Sequence, residues 1–165
     1  YVGTIASWFD WAWVVELARS NPKDVVRLIG PTTSPIRFQL PANIELLPAC
    51  HHNDALSAML EFDVGLIPFL RNSLTASVDP IKYYEYRALG LPVVSTDFGE
   101  MTFRADERGI FISKSLLDIK RAIKRALEFT DDTESVGRFL AENDWGVRFD
   151  ATQLLDTSSE LNSSR

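Results

Sequence analysis

The sequence predicts an α/β fold: a doubly wound, mostly parallel sheet of about six strands with helices on both faces. Three observations predict it. Short apolar segments alternate with stretches of helical periodicity from YVGTI to ENDWGVRFDATQLLD. Segments such as LPVVST are apolar throughout rather than alternately apolar and polar, as strands covered on both faces require. No internal repeat or linker divides the 165 residues, a length that suits one domain with a sizeable core.

In chain order, YVGTI is a short apolar strand with a glycine inside it. SWFDWAWVVELARSNP follows, with Ser7 and Asp10 spaced as a capping box and Pro22 ending the helix. DVVRLIG is a strand closed by Gly30, and a Pro- and Thr-rich loop leads to the strand NIELLP. NDALSAML has a helical start at Asn53, and FDVGLIPF reads as a buried strand. After the loop LRNSLTASV comes a helix over 80–89, with Gly90 as its stop. LPVVST and the shorter GIFI are strands, and SLLDIKRAIKRALEF carries a clear 3.6-residue period. ESVGRFLAEN and DWGVRFDATQLLD are helical, and the polar tail TSSELNSSR is expected to be disordered. Such a Rossmann-like sheet binds ligands beyond the carboxyl ends of its strands, where loops meet helix N-termini.

Composition narrows the function classes. A net charge of −6 argues against nucleic-acid binding by bulk electrostatics and leaves an anionic ligand dependent on a local site. No apolar run is long enough to span a membrane. The single cysteine, Cys50, has no internal disulfide partner, which fits a reducing compartment. No Walker loop, nucleophile elbow, Gly-x-Gly-x-x-Gly or metal-ligand spacing is present.

The most informative stretch is DPIKYYEYRALGLPVVST, residues 79–96. Asp79 can cap a helix, and Pro80 suits its first position. The free N–H groups and dipole of that helix end attract anions. Lys82 opposes the dipole in the first turn, unless a phosphate sits there. Glu85 lies about 4–8 Å further along, at roughly 1.5 Å per residue. Its two acceptor oxygens match the two donors of a ribose diol. The geometry suits a nucleoside diphosphate; the same spacing also describes an exposed i,i+3 ion pair.

Taken together, YVGTI, FDVGLIPF, DPIKYYEYRALGLPVVST and ENDWGVRFDATQLL resemble the carboxy-terminal domain of retaining glycosyltransferases with the two-domain GT-B fold, nearest to family 4 members of polysaccharide-assembly type. The resemblance implies a nucleotide-sugar-binding domain over 1–156, with 157–165 as tail. It implies transfer of a hexose from a nucleoside diphosphate sugar to a glycan or lipid-linked acceptor, with no cofactor and no required metal. An amino-terminal acceptor-binding domain of the same protein would be its partner. By position, Glu85 matches the ribose-binding glutamate, Gly3 and Thr4 the loop approaching the diphosphate and sugar, and Pro48 and Ala49 the segment meeting the base. The stretch from Trp145 onward matches the terminal helix that returns to the other domain. Two features depart from the pattern. Ser77 occupies the donor-site position where the family has a second glutamate, and GTIASWFDWAW lacks the usual Arg and Lys, for which Lys82 or Arg71 would have to substitute. A non-catalytic binding or scaffold module, or half of a sugar-nucleotide epimerase, would share this fold.

Three further groups are candidates. His51 and His52 are either base or donor contacts or plain surface residues. In SWFDWAW, Trp8 or Phe9 either faces an interdomain cleft or joins the core. Lys114, Lys120, Arg121, Lys124 and Arg125 form either a solvated face or a surface drawn to anionic lipid at the inner, cytoplasmic face of a membrane.

Overall fold

The computed structural model describes residues 1–144, so the expected helix after Trp145 and the tail at 157–165 lie outside the described residues. The helices are α1 (Trp11–Ser20), α2 (His52–Met59), α3 (Ile81–Ala88), α4 (Ile119–Leu127) and α5 (Thr133–Asn143). The strands are β1 (Val26–Ile29), β2 (Ile44–Leu47), β3 (Gly65–Ile67), β4 (Val93–Thr96) and β5 (Ile110–Ser113). Two short 3-10 helices, Gly99–Arg104 and Leu116–Asp118, complete the described elements.

All pairing between these strands is parallel, β1 with β2 and β3–β4–β5 in that order. The expected sixth strand, at the start of the chain, contributes bridges rather than a full strand. Val2 pairs with Ile29 and Ile5 with Thr32, while Phe9 pairs antiparallel with Phe69. The interruption has a cause: Gly3 and Gly30 lie side by side at φ 144° and 143°, a region that other residues rarely adopt. The opening segment thereby leans on β1 at one end and on the chain beyond β3 at the other.

Burial alternates across the sheet as double coverage demands. Leu28, Leu66 and Val94 pack with α1 and α4 in one core. Ile29, Ile67 and Val93 face the other way, toward Ala55 and Met59 of α2 and Tyr83 and Tyr86 of α3. Strand β2 is the exception, with Leu46 and Leu47 about two-fifths exposed, because it lies at an edge.

Local sequence signals fixed most helix ends, with three differences. Asp10 alone caps α1, its Oδ1 accepting the Trp13 N–H at 2.9 Å. The helix starts later than the Ser7 box implies because residues 8–10 pair in extended form with 68–70. Pro80, not Asp79, is the N-cap of α3 and offers no side-chain cap. Asp79 is instead engaged by Arg104 at 2.9 Å and by the Tyr84 hydroxyl at 2.7 Å. Helix α2 begins at His52, one residue before Asn53, with His51 as its cap residue.

Candidate functional site

A cavity of about 500 Å³ opens beyond the carboxyl end of β3. Three separate stretches line it: the opening segment through Gly3, Thr4 and Trp8, the chain after β3 through Phe69, Leu74 and Thr75, and the start of α3 through Pro80, Ile81 and Lys82. A parallel sheet with helical crossovers brings such loops to one edge, where ligands of this architecture bind. A second cleft, about 420 Å³, lies at the amino ends of β1 and β3 among Val26, Asp63 and Val64, away from those loops.

Each wall is positioned by a nonlocal contact. The Tyr86 hydroxyl, in the body of α3, accepts the Val2 N–H at 3.1 Å and so ties the helix to the opening segment. Burial pushes that phenol well above its ordinary range, so it stays protonated. Gly65 makes this fit possible, since a Cβ there would overlap the Tyr86 ring. Gly30 does the same for the glycine loop, because a Cβ there would overlap the Gly3 carbonyl. The Tyr1 hydroxyl donates to the Thr4 carbonyl at 2.9 Å, and burial pushes this phenol up to about 12. Beyond β3, the Thr96 hydroxyl accepts the Phe69 N–H at 3.0 Å, and Asn72 Oδ1 accepts the N–H groups of Leu74 and Thr75 at 2.9 and 3.1 Å.

The electrostatics at the mouth of the cavity centre on α3. The Tyr83 N–H turns back to the Pro80 carbonyl at 2.9 Å, which leaves the N–H groups of Ile81 and Lys82 without an intrahelical partner. Among the described residues, Lys82 is the only basic side chain of the lining, and it pairs with Glu85 one turn along. Both side chains are about four-fifths buried, with 20% and 23% of their surface exposed. The acidic Asp79 on the same rim is neutralised by Arg104, whose guanidinium lies 4.3 Å from the centre of the Tyr83 ring. Tyr83 donates to Glu107, and burial together with that bond raises its pKa. Among the described residues, what remains is an apolar chamber with the Lys82 ammonium and the first N–H groups of α3 at its entrance, suited to an anion attached to a flat or apolar body.

The sequence-derived candidates divide accordingly. Gly3, Thr4, Pro80 and Lys82 meet on the cavity, and Trp8 joins them while Phe9 is buried in the core. Glu85 is held behind Lys82 rather than in the lining. Pro48, Ala49 and Ser77 are exposed and outside the lining, as are His51 and His52. Arg71 is also outside it, pairing with Asp97 at 3.4 Å. Sequence reasoning missed Phe69, Thr75 and Arg104. The Asn72–Thr75 spacing of a side-chain-capped turn was the available signal for Thr75; nothing local marks Arg104. Among the described residues, no group of three or more His, Cys, Asp or Glu side chains is placed to hold a metal ion.

No family model and no curated protein matches the chain. Solved structures do. The chain is similar to AviGT4, a glycosyltransferase involved in avilamycin A biosynthesis, with a TM-score of 0.67 at 13% identity over 96% of this chain and 52% of that one. It is also similar to a UDP-forming α,α-trehalose-phosphate synthase from Burkholderia xenovorans, with a TM-score of 0.60 at 17% identity over 92% of this chain and 43% of that one. The fold is therefore Rossmann-like and matches one half of the GT-B architecture. This chain spans about half the length of the structures it matches.

Proposed function

We propose that this chain is the donor-binding, carboxy-terminal half of a family 4-like glycosyltransferase and takes a nucleoside diphosphate sugar. The observation that carries the reading is the meeting of Gly3, Thr4, Pro80 and Lys82, far apart in sequence, on one cavity at the carboxyl edge of the sheet. A diphosphate at the start of α3 would receive the N–H groups of Ile81 and Lys82 and the Lys82 ammonium. It would compete with Glu85 for that ammonium and release the carboxylate toward the ribose diol. In transfer, the same groups would stabilise the charge that develops on the departing diphosphate. The acceptor, a glycan or a lipid-linked sugar, would be positioned by a second domain.

Calorimetric titration with UDP, GDP and ADP tests the reading. One of the three is expected to bind with a dissociation constant on the order of micromolar, and both Lys82→Ala and Glu85→Ala are expected to weaken it tenfold or more, roughly 1.4 kcal/mol. Failure of all three to bind would overturn it. One observation favours a second reading, a binding module without transfer chemistry: among the described residues Lys82 is the single basic side chain at the cavity, and Ser77 lies outside it. A transfer assay on the full-length protein with the nucleotide sugar that binds separates the two.

A further inference from the structure

A second surface has the chemistry of a docking site. Residues 114–128 carry Lys114, Lys120, Arg121, Lys124 and Arg125 against only Asp118 and Glu128, a local excess of three positive charges in a chain of net charge −6. The fold presents this excess on one side. Ile119, Ala122, Ile123 and Ala126 face the core, so the helical period turns Lys120, Arg121, Lys124 and Arg125 outward together. Asp118 pairs with Arg121 at 2.7 Å, and Glu128 lies 3.8 Å from Lys124. Lys114 and Lys120 have no anionic partner among the described residues.

The turn that leads into this helix adds an apolar element. Leu117 is 94% exposed and Leu116 48% exposed. The turn that carries them is braced: the Ser113 hydroxyl donates to the Ser115 carbonyl at 2.8 Å, and the Ser115 hydroxyl to Asp118 at 3.0 Å. A leucine held almost fully in water on a hydrogen-bonded turn, with cations around it, is out of place on a solvated face. It matches the boundary between lipid headgroups and acyl chains, where apolar tips insert and lysines meet phosphates. The turn directly follows β5, so it lies at the carboxyl edge of the β3–β4–β5 sheet, the edge at which the cavity opens.

We infer that Leu116, Leu117 and the basic face of α4 form a docking surface for an anionic phospholipid bilayer. Charge complementarity draws the domain in, and the exposed leucines insert. No helix among the described residues is long and apolar enough to cross a membrane; the inferred contact is one of surface attachment. Docking would set the cavity edge toward the bilayer. The inference stands on this surface alone and does not depend on the identity of the cavity's ligand.

Cosedimentation of the purified chain with vesicles tests it, using equimolar phosphatidylcholine and phosphatidylglycerol against phosphatidylcholine alone. Binding is expected only to the mixed vesicles. The double variant Lys120→Glu, Lys124→Glu is expected to lower that binding about tenfold or more. Leu117→Asp is expected to lower it about fivefold, and Leu117→Trp to retain or strengthen it, since tryptophan favours the interface. All of these positions are exposed, and circular dichroism checks that each variant folds. Equal binding to both vesicle types, or binding indifferent to Leu117→Asp, would overturn the inference. So would absence of vesicle binding with capture of an acidic protein through the same residues. Nucleotide titration of the same variants separates failure here from failure of the donor-site reading, because none of these residues lines the cavity.

Discussion

The two ends of α3 each hold an ion pair, and the pairs differ in kind. At the amino end, Lys82 and Glu85 are neighbours on one helix, each about one-fifth exposed, and among the described residues no other charged side chain is bonded to either. At the carboxyl end, Arg87 is buried at 4% side-chain exposure and meets Asp131, at 2%, from a loop 44 residues away. Arg87 also donates to the Leu91 carbonyl at 3.1 Å, and Arg108 holds the other Asp131 oxygen at 2.9 Å. The second pair is shared among several partners and joins three parts of the fold. The first is local and exchangeable. A buried charge held by several partners from different parts of the fold serves structure, whereas one held by a single replaceable partner beside a cavity is available to a ligand.

The contrast can be broken from the strong end. Asp131→Ala strips the buried Arg87 guanidinium of its carboxylate and should cost about 3 kcal/mol, read from urea denaturation. The pair also carries a pH signature. Burial pushes the Asp131 carboxyl up, but the Arg87 and Arg108 hydrogen bonds outweigh it and hold its pKa below the ordinary value. Its stabilisation is therefore complete above the unfolded carboxylate pKa, near about 4, and is lost as pH falls through the lower folded value. The stability gap between wild type and Asp131→Asn should be widest near neutral pH and shrink in acid; a gap that widens in acid would refute the assignment.

The middle of the helix comes next. Gly65→Ala places a methyl group against the buried Tyr86 ring and should cost about 2 kcal/mol. Tyr86→Phe leaves the buried Val2 N–H without its acceptor and should cost about 1–2 kcal/mol by the same denaturation assay. It should also weaken nucleotide binding, because the glycine loop loses its tie to α3. The smallest effect sharpens the comparison. Glu85→Ala should change stability by about 0.5 kcal/mol or less, while nucleotide affinity falls. A stability loss equal to that of Asp131→Ala would show that the amino-end pair is structural after all.

Much of this was readable in advance, and the reasons differ by residue. The YVG, DVG and YEY pieces were separately visible as strand, strand and helix. The structure shows them to be one device: Gly65 seats the Tyr86 ring, and its hydroxyl holds Val2 beside Gly3. That glycine and that tyrosine carry no local sign of each other. Lys82 was legible because a cation in a first helical turn is locally anomalous. Arg104 was not, since its partners Asp79 and Tyr83 reach it only through the fold. Spacing offered Glu85 two roles, a ribose contact or an i,i+3 partner of Lys82; in the free chain the carboxylate turns to Lys82, and the pair is mostly buried rather than exposed.

The amino-acid order by itself determined the alternation of strand and helix, the two-sided burial of the central strands and the helix stops signalled by Pro22 and Gly90. These depend on periodicity and backbone preference within a few residues. Only the tertiary structure decided that the opening segment would bridge rather than form a full strand, that Asp79 would leave its cap for Arg104, and which loops would enclose a cavity. Those outcomes rest on contacts between residues tens of positions apart, whose energies exceed the local preferences they override.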